Sequence, residues 1–429
     1  MFLYLFMRYK LQKFKNGPEV IFVKSPNLSF LNISAFIKSG SIYESKNNNG
    51  ISHFTEHMLF KGTKTYPSHE SLFNVLDCKG IEWSAITRTQ YTYISFNLKH
   101  KEIEAGLNLL SEILLNPKFD KEGIKNEKKV IIEEIKNSNL DFIEKFINKT
   151  NKLLFKRTAL SFDVLGTINN IKKFNRQAII QYWKKHYSAN NIILCLAGNI
   201  DIDRAGLLIK NNFKAQGSES IKIPVINPKC EKFIKYFFHN PNLKDRAMLS
   251  WSFKTPAVSS KKYHLVSLLN IFLNRKLGNL FRENLALSYD IESDQTQFSS
   301  FGILDINLTF SRKDMGKIIE RLFNEINKIE ISRHELDRAK KIANTQLKFI
   351  QNDPSSLSYY FGEQRILNPE SKLMNTNEET KTINKISLRD FNQFTKTILN
   401  KNKSVCFVES GHASDKPNCC RRLETLENA

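Results

Sequence analysis

The sequence lacks an apolar run that could cross a membrane. Its longest apolar stretches have the length of a strand, far short of the roughly 20 residues that a spanning helix needs. It also lacks a CxxC pair among its six cysteines, which lie at positions 78, 195, 230, 406, 419 and 420. We therefore predict no membrane span, and we expect reduced thiols that have no functional role.

The sequence has fewer acidic than basic residues: it contains 43 Asp and Glu but 65 Lys and Arg, which gives a formal net charge of +22. Clustered basic residues can neutralise the phosphates of a nucleic acid or a membrane surface. Here they are spread along the chain, and Lys, Asn and Ile are abundant throughout, as in an AT-rich genome. We interpret the charge as genome composition and predict no nucleic-acid partner. A basic nucleic-acid-binding protein is the rival interpretation from a different class.

The amino terminus has no ordinary secretory signal. Residues 2–7 are apolar, but the positive charges follow this run, whereas in a signal peptide they precede a longer one. We expect Met7, not Met1, to be the true start, because it leads directly into a strand-like segment; a weak signal is the alternative. The predicted location is the bacterial cytoplasm, with the mitochondrial matrix and secretion as alternatives.

A chain of 429 residues is longer than one hydrophobic core ordinarily organises, and its length suits two domains of about 200 residues each. Apolar periodicity gives the order strands, helix, strands, helices twice, and prolines at 224 and 228 mark a helix-poor boundary. We predict an α+β fold of two homologous domains, each a mainly antiparallel sheet packed with helices. Their predicted bounds are residues 9–222 and 229–409, followed by a loosely ordered tail at 410–429.

The strongest functional signal is the motif His-x-x-Glu-His, formed by His53, Glu56 and His57. Positions i, i+3 and i+4 of a helix share a face, so both imidazoles can reach one metal ion while Glu56 stands beside an open coordination position. Zinc suits such ligands, and a glutamate there can take a proton from water and pass it to a leaving amine. The alternatives are a solvated helix face with two unrelated histidines, or a partly buried structural histidine. We predict one zinc ion per chain.

A third protein ligand is required, and the long helix predicted at residues 121–149 offers several carboxylates. They are Glu122, Glu127, Glu133, Glu134 and Glu144. Glu127 and Glu134 are seven residues apart and so share a helix face. Spacing alone does not choose among these glutamates.

The segment Gly-Ser-Ile-Tyr-Glu at residues 40–44 and the stretch at 49–63 around the motif resemble the signature of the insulinase (pitrilysin) family, M16, of zinc metallopeptidases. Mitochondrial processing peptidase subunits and their bacterial relatives are the most similar members. In that family the third ligand follows the second histidine after 76 residues, within Val-Ile-x-x-Glu, and residues 130–134 read Val-Ile-Ile-Glu-Glu. The resemblance therefore implies Glu134, not Glu133, as the ligand, and Glu127 as a supporting catalytic residue that orients a ligand.

The resemblance extends into the second half, where residues 280–289 resemble the family's Arg/Tyr motif. It implies that Arg282 and Tyr289 hold substrate or polarise the scissile carbonyl. Two departures lie nearby. Ala286 replaces a glycine, and Asn-Arg-Lys-Leu-Gly at 274–278 replaces a glycine-rich turn.

A third departure concerns substrate binding, because Ser84 and Ala85 stand where the family has Asn-Ala, whose Asn contacts the substrate backbone. The resemblance implies an endopeptidase that hydrolyses peptides or unfolded segments bound as an extended strand. It also implies a clamshell in which two chains enclose a chamber. We expect a homodimer, with a heterodimer of related chains as the alternative. The rival within the family is a non-catalytic structural or partner subunit; such relatives lose zinc ligands or the glutamate, all of which are present here.

Overall fold

The computed structural model describes residues 8–15, 17–214, 220–228, 232–288 and 290–428. The predictions for the start at Met1 or Met7, for Cys230 and for Tyr289 fall outside these residues. The chain forms two compact units, Met1–Pro224 with Lys348–Thr376, and Val225–Leu347 with Asn377–Ala429. No helix within the described ranges is long and apolar enough to cross a membrane.

The first unit is built on a sheet whose six described strands are ordered β1-β2-β6-β3-β5-β4. Neighbours are antiparallel except for the parallel pair β2 and β6. The strands are rich in Val, Ile and Phe, and their central members have almost no exposed surface, as expected for a sheet covered on both faces. Their bounds are β1 Arg8–Lys13, β2 Glu19–Lys24, β3 Phe30–Ile37, β4 Glu82–Thr87, β5 Thr92–Lys99 and β6 Ile192–Gly198.

Eight helices are described between these strands and after them. They are α1 Ile51–Leu59, α2 His69–Lys79, α3 Ile103–Leu115, α4 Lys121–Ser138, α5 Phe142–Leu154, α6 Ile168–Lys173, α7 Arg176–His186 and α8 Ile202–Asn212.

The second unit repeats the plan with strands ordered β7-β11-β8-β10-β9, of which β7 and β11 are parallel. The strands are β7 Ile234–His239, β8 Arg246–Thr255, β9 Asp290–Gln297, β10 Gly302–Ser311 and β11 Ser404–Ser410. The helices that follow β8 along the chain are α9 Tyr263–Leu277, α10 Met315–Asn327, α11 Arg333–Asn352, α12 Pro354–Leu367, α13 Thr376–Asn384, α14 Leu388–Ile398 and α15 Lys416–Asn428. A π-helical segment, Gly278–Asn284, continues α9.

The two sheets share one strand order. If the strands are numbered along the chain from β2 in the first unit and from β7 in the second, both sheets read first, fifth, second, fourth, third. In both, the first and fifth strands form the parallel pair. This confirms the predicted α+β fold of two similar, mainly antiparallel halves.

The single long helix predicted at residues 121–149 is wrong, because α4 ends at Ser138 and α5 begins at Phe142. The break falls where short polar side chains hydrogen-bond to nearby backbone. Asn139 Nδ2 donates to the carbonyl of Ile135 (2.6 Å), and Asp141 caps α5 by accepting from the Glu144 amide (2.9 Å). Helix α9 likewise changes to π-helix after Leu277.

The carboxyl-terminal tail was expected to be loosely ordered, whereas the structure has helix α15 there. Few apolar residues suffice because they are four apart and share one face: Cys419 and Leu423 are each 1% exposed. Lys235 on β7 also forms an ion pair with Glu424 on α15 (3.1 Å).

Helix α12 belongs to the first unit, although the sequence analysis placed its residues in the second domain. It packs on β3 and β6: Ser358 Oγ donates to the carbonyl of Cys195 (3.0 Å). Farther along, Arg365 forms an ion pair with Glu19 on β2 (2.7 Å). Periodicity identifies an amphipathic helix but not the sheet that it covers, so the sequence pattern could not assign this segment.

Candidate metal centre

The start of helix α1 is fixed by the buried carboxylate of Glu44. It accepts hydrogen bonds from the backbone amides of Gly50 and Ser52 and from Asn49 Nδ2, each at 2.8 Å. A carboxylate at this position accepts hydrogen bonds from amides that have no partner within the helix. Its negative charge also interacts favourably with the positive end of the helix dipole. Burial raises the pKa of Glu44, which these hydrogen bonds oppose. Gly50, at φ 98°, supplies the left-handed backbone before the helix begins.

One ring nitrogen of His57 is held by Glu127 on α4. His57 Nδ1 lies 2.7 Å from Glu127 Oε1, and Lys61 Nζ lies 2.7 Å from Glu127 Oε2. Burial alone would raise the pKa of Glu127, but His57 and Lys61 outweigh it and the pKa is lowered, so the carboxylate is ionised. An ionised acceptor at Nδ1 selects the tautomer that leaves the lone pair on His57 Nε2.

Three donor atoms converge beside this pair. His57 Nε2 lies 3.1 Å from His53 Nε2, and Glu134 Oε2 lies 3.7 Å from His57 Nε2 and 4.0 Å from His53 Nε2. Burial, followed by the charge of His57, lowers the pKa of His53 to about 3, which keeps that imidazole neutral. Glu134 Oε2 is buried and has no hydrogen-bond partner among the described residues. Burial would lower the pKa of His57, but Glu127, Glu56 and Glu134 outweigh it and the pKa is raised, so a metal ion would displace a proton from this ring on binding. The two imidazoles and one unsatisfied carboxylate oxygen fit a divalent cation such as zinc.

The side chains of the other candidate glutamates do not reach the two histidines as Glu134 does. Glu133 points away from the histidines and lies 2.6 Å from Lys136 Nζ, with 63% of its side chain exposed. Glu144, on α5, lines the same cleft as the histidines but is not part of the three-donor group. The structure therefore brings Glu134, and not Glu133, to His53 and His57.

Glu56 lies on the same face of α1 and is 7% exposed. Thr87 Oγ1 donates to Glu56 Oε2 at 3.0 Å. Burial raises the pKa of Glu56, while the charge of His57 and this hydrogen bond oppose the shift. The sequence analysis missed Thr87. The signal was the alternation of strand β4, which places Thr87 on the same side as Ala85.

These side chains line an open cleft of about 480 Å³ in the first unit. Residues 85–87 of β4, side chains of α5 and residues 160–165 form its walls. Strand β4 is the last strand of the sheet and pairs with β5 alone among the described strands, so its other edge is open. Ala85 lines the cleft, whereas Ser84 is exposed and does not.

Arg282 and Ala286, two positions singled out in the second half, lie in the second unit. Arg282 is on the π-helical segment, with 54% of its side chain exposed and its Nε 3.3 Å from Glu283 Oε1. Ala286 has φ 48°, in the left-handed region that favours glycine, the residue implied there by the resemblance.

Comparison with known proteins agrees with the fold. The model of the insulinase family (peptidase family M16) matches residues 19–167, and that of the peptidase M16 inactive domain matches residues 173–343. The chain belongs to peptidase family M16.

Its relatives include proteins of bacteria and mitochondria. An uncharacterized zinc protease of Rickettsia felis is 27% identical over 363 residues, which cover 83% of this chain and 87% of the relative. The zinc protease YmxG of Bacillus subtilis is 25% identical over 409 residues, covering 92% and 96%. The mitochondrial-processing peptidase beta subunit of Saccharomyces cerevisiae is 23% identical over 432 residues, covering 95% and 92%.

Solved structures show the same fold. A protease from Helicobacter pylori superposes with a TM-score of 0.85 at 17% identity, covering 94% of this chain and 99% of that one.

Proposed function

We propose that the protein is a zinc-dependent endopeptidase that cuts peptides or unfolded protein segments. The observation that carries the proposal is the convergence of His53, His57 and Glu134 beside the buried carboxylate of Glu56, in an open cleft next to an edge strand. Its relatives named zinc proteases support the same activity. The rival of a non-catalytic subunit predicts loss of one of these residues, and all of them are present.

In this proposal His53, His57 and Glu134 hold the metal, and Glu127 orients His57 through Nδ1. When bound, zinc would supply Lewis acidity that lowers the pKa of water and polarises the scissile carbonyl. Glu56 takes a proton from the attacking water and delivers it to the leaving amine. Its buried position suits both roles, because burial raises the pKa of Glu56 toward neutral pH, where a group can both accept and donate a proton. Thr87 orients that carboxylate by donating to Oε2.

Substrate would add a strand to the open edge of β4, where backbone hydrogen bonds provide affinity and side-chain pockets provide preference. Ala85 and Ser84 are the proposed positioning residues on that strand. Because Ser84 is shorter than the Asn of the family, it can make fewer polar contacts with the substrate backbone. Arg282 and Tyr289 are proposed to act on the substrate carbonyl.

We propose that the chain is active without a different partner, as a homodimer that encloses peptides in a chamber, and that it is cytoplasmic. Both the metal ligands and the Arg/Tyr motif occur in this one chain, which supports self-sufficiency. Replacing Tyr289 by Phe should then lower turnover without changing zinc content, because the hydroxyl acts on the substrate.

The test is hydrolysis of a quenched peptide library by the chain expressed alone, with its zinc content and mass in solution measured alongside. We expect cleavage of unstructured peptides that stops on chelation and returns with zinc. Hydrolysis that is insensitive to chelators would contradict a metallopeptidase. A zinc-loaded chain that cuts nothing until a different chain is added would contradict self-sufficiency.

A further inference from the structure

A second cleft, of about 360 Å³, lies in the second unit, and the proposed peptidase chemistry does not use it. Helices α9, α10 and α11 and the π-helical segment form its walls. Its volume is near the lower end of the range typical of small-molecule sites, about 300–1,000 Å³.

Three helices each contribute one arginine to this cleft: Arg275 from α9, Arg321 from α10 and Arg338 from α11. Lys276 lines it too and lies close to both carboxylates of the cleft, 3.4 Å from Glu325 and 3.9 Å from Glu335.

The arginines are not neutralised in the same way. Within the described ranges, no carboxylate oxygen forms an ion pair with Arg275 or Arg321. Arg338 Nη2 lies 3.4 Å from His334 Nδ1, and the charge of Arg338 also acts on the Glu335 carboxylate. With four cationic and two acidic side chains, the lining has a net positive charge. Like charges gathered in a concave surface repel each other and attract an anion, and guanidinium groups match the geometry of carboxylate and phosphate oxygens.

The rest of the lining is largely apolar. Its apolar members are Ile271, Phe272, Leu280, Ala339 and Ile342, and its two polar members are Asn279 and Asn284. A ligand that combines an anionic group with an apolar body would contact both kinds of surface, whereas a bare ion would contact only the basic side chains.

The position of the basic residues follows from the departure at residues 274–278. The Asn274 side chain makes two hydrogen bonds to the backbone of Ser293 on β9: Nδ2 donates to the carbonyl (2.6 Å), and Oδ1 accepts from the amide (2.7 Å). These bonds attach the last turn of α9 to the sheet. The two residues that come next, Arg275 and Lys276, are thereby fixed in the cleft wall.

We propose that this cleft binds a small organic anion, in which an oxyanion group (carboxylate or phosphate) is joined to a short apolar body. The site is independent of the proposed peptidase activity, since its lining includes neither the metal donors nor Glu56.

The test is isothermal titration calorimetry of the full chain with octanoate and with octyl phosphate, which separates the two head groups. We expect saturable binding of at least one of them at one site per chain. Octylamine, with the same body and the opposite charge, should not bind. Acetate and inorganic phosphate should bind at least about tenfold more weakly, because they bury no comparable apolar surface. Absence of saturable binding, or equal binding of octylamine, would overturn the proposal.

Variants locate the site. Arg321→Gln combined with Arg338→Gln should weaken binding by at least about tenfold, since two charge-assisted hydrogen-bond donors to the oxyanion group are lost. Arg333→Gln is the matched control: it is on α11 as well, pairs with Asp337 (3.1 Å) and does not line the cleft. Unchanged affinity in the double variant, or an equal loss in the control, would contradict the assignment. Glu56→Gln should bind octanoate or octyl phosphate normally, so failure of the peptidase proposal would not affect this result.

Discussion

The two units have the same strand order, yet their clefts have opposite chemistry. In each unit, counted along the chain as above, a helix follows the second strand: α1 follows β3, and α9 follows β8. Helix α1 presents two imidazoles and a carboxylate to a cleft that also contains Glu134, whereas α9 ends in Arg275 and Lys276. Corresponding helices of the two units thus line clefts of different chemistry, and the side chains determine what each cleft can bind.

A histidine–carboxylate pair occurs in both units, but a three-donor group is described only in the first. In the second unit His264 Nδ1 lies 3.1 Å from Glu379 Oε1, and both residues are buried, much like His57 and Glu127. Among the described residues, the one group of three potential ligands is His53, His57 and Glu134. We therefore interpret a buried histidine–carboxylate pair as a structural contact unless a further potential metal ligand lies beside it.

The largest expected effect concerns Glu56, the carboxylate that α1 presents to the first cleft. Replacing Glu56 by Gln should lower peptide hydrolysis by about 10²–10⁴-fold while zinc stays bound, because the amide cannot accept a proton from water. The measurement is kcat/KM together with zinc content. Glu133→Gln is the control and should retain activity. Turnover of Glu56→Gln within about tenfold of the parent would exclude Glu56 as the general base.

The second prediction distinguishes the two histidine–carboxylate pairs. Glu127→Gln should weaken zinc binding by about 10–100-fold, because the charge that fixes the His57 tautomer is lost. Competition against a chelator measures the affinity. Glu122→Gln, an exposed change in the first turn of α4, should leave it unchanged, as should Glu379→Gln in the second unit. Equal affinity in Glu127→Gln and Glu122→Gln would contradict the orienting role.

A smaller effect is expected at Thr87. Thr87→Val keeps the shape of the side chain but removes the hydroxyl, and we expect kcat to fall by about five- to tenfold, the value of one ordinary hydrogen bond. KM and zinc content should change little, because the hydroxyl contacts neither substrate nor metal in this account. Thr87→Ser should restore kcat. If the Ser variant is as slow as the Val variant, packing of the methyl group and not the hydrogen bond is responsible.

The smallest expected effect lies in the second unit. Ala286→Gly should raise the free energy of unfolding by about 0.5–1 kcal/mol, since glycine relieves the left-handed backbone at φ 48°. Ala339→Gly, within helix α11, should lower it by about 1 kcal/mol. Urea unfolding measures both. A destabilised Ala286→Gly variant would show that the alanine methyl contributes more than the backbone strain costs.

Much of the site could be predicted because it depends on local geometry. A helix that carries His53, Glu56 and His57 places all three on one face whatever surrounds it. Glu134 was different: helix periodicity left several glutamates open, and only the family resemblance selected one. Thr87 was missed because its contact with Glu56 joins a strand to a helix 31 residues away in sequence. Strand alternation indicates the side of β4 that Thr87 faces, but not the helix residue that it contacts.

The fold shows the same limit. The order of strands and helices predicted two similar halves, since periodicity reports which residues of an element are buried. It could not report which sheet an element covers, so α12 was assigned to the wrong unit. The break between α4 and α5 depends on side-chain hydrogen bonds of Asn139 and Asp141 that compete with helix continuation.

The central claim is that the first unit holds one zinc ion through His53, His57 and Glu134. Elemental analysis of the purified chain and of two neighbouring variants tests it most directly. We expect one zinc per chain in the parent and in Glu133→Gln, and a clear loss in Glu134→Gln, because of these two glutamates only Glu134 directs an oxygen to the Nε2 atoms of the histidines. A parent chain without zinc, or equal zinc in the two variants, would contradict the account.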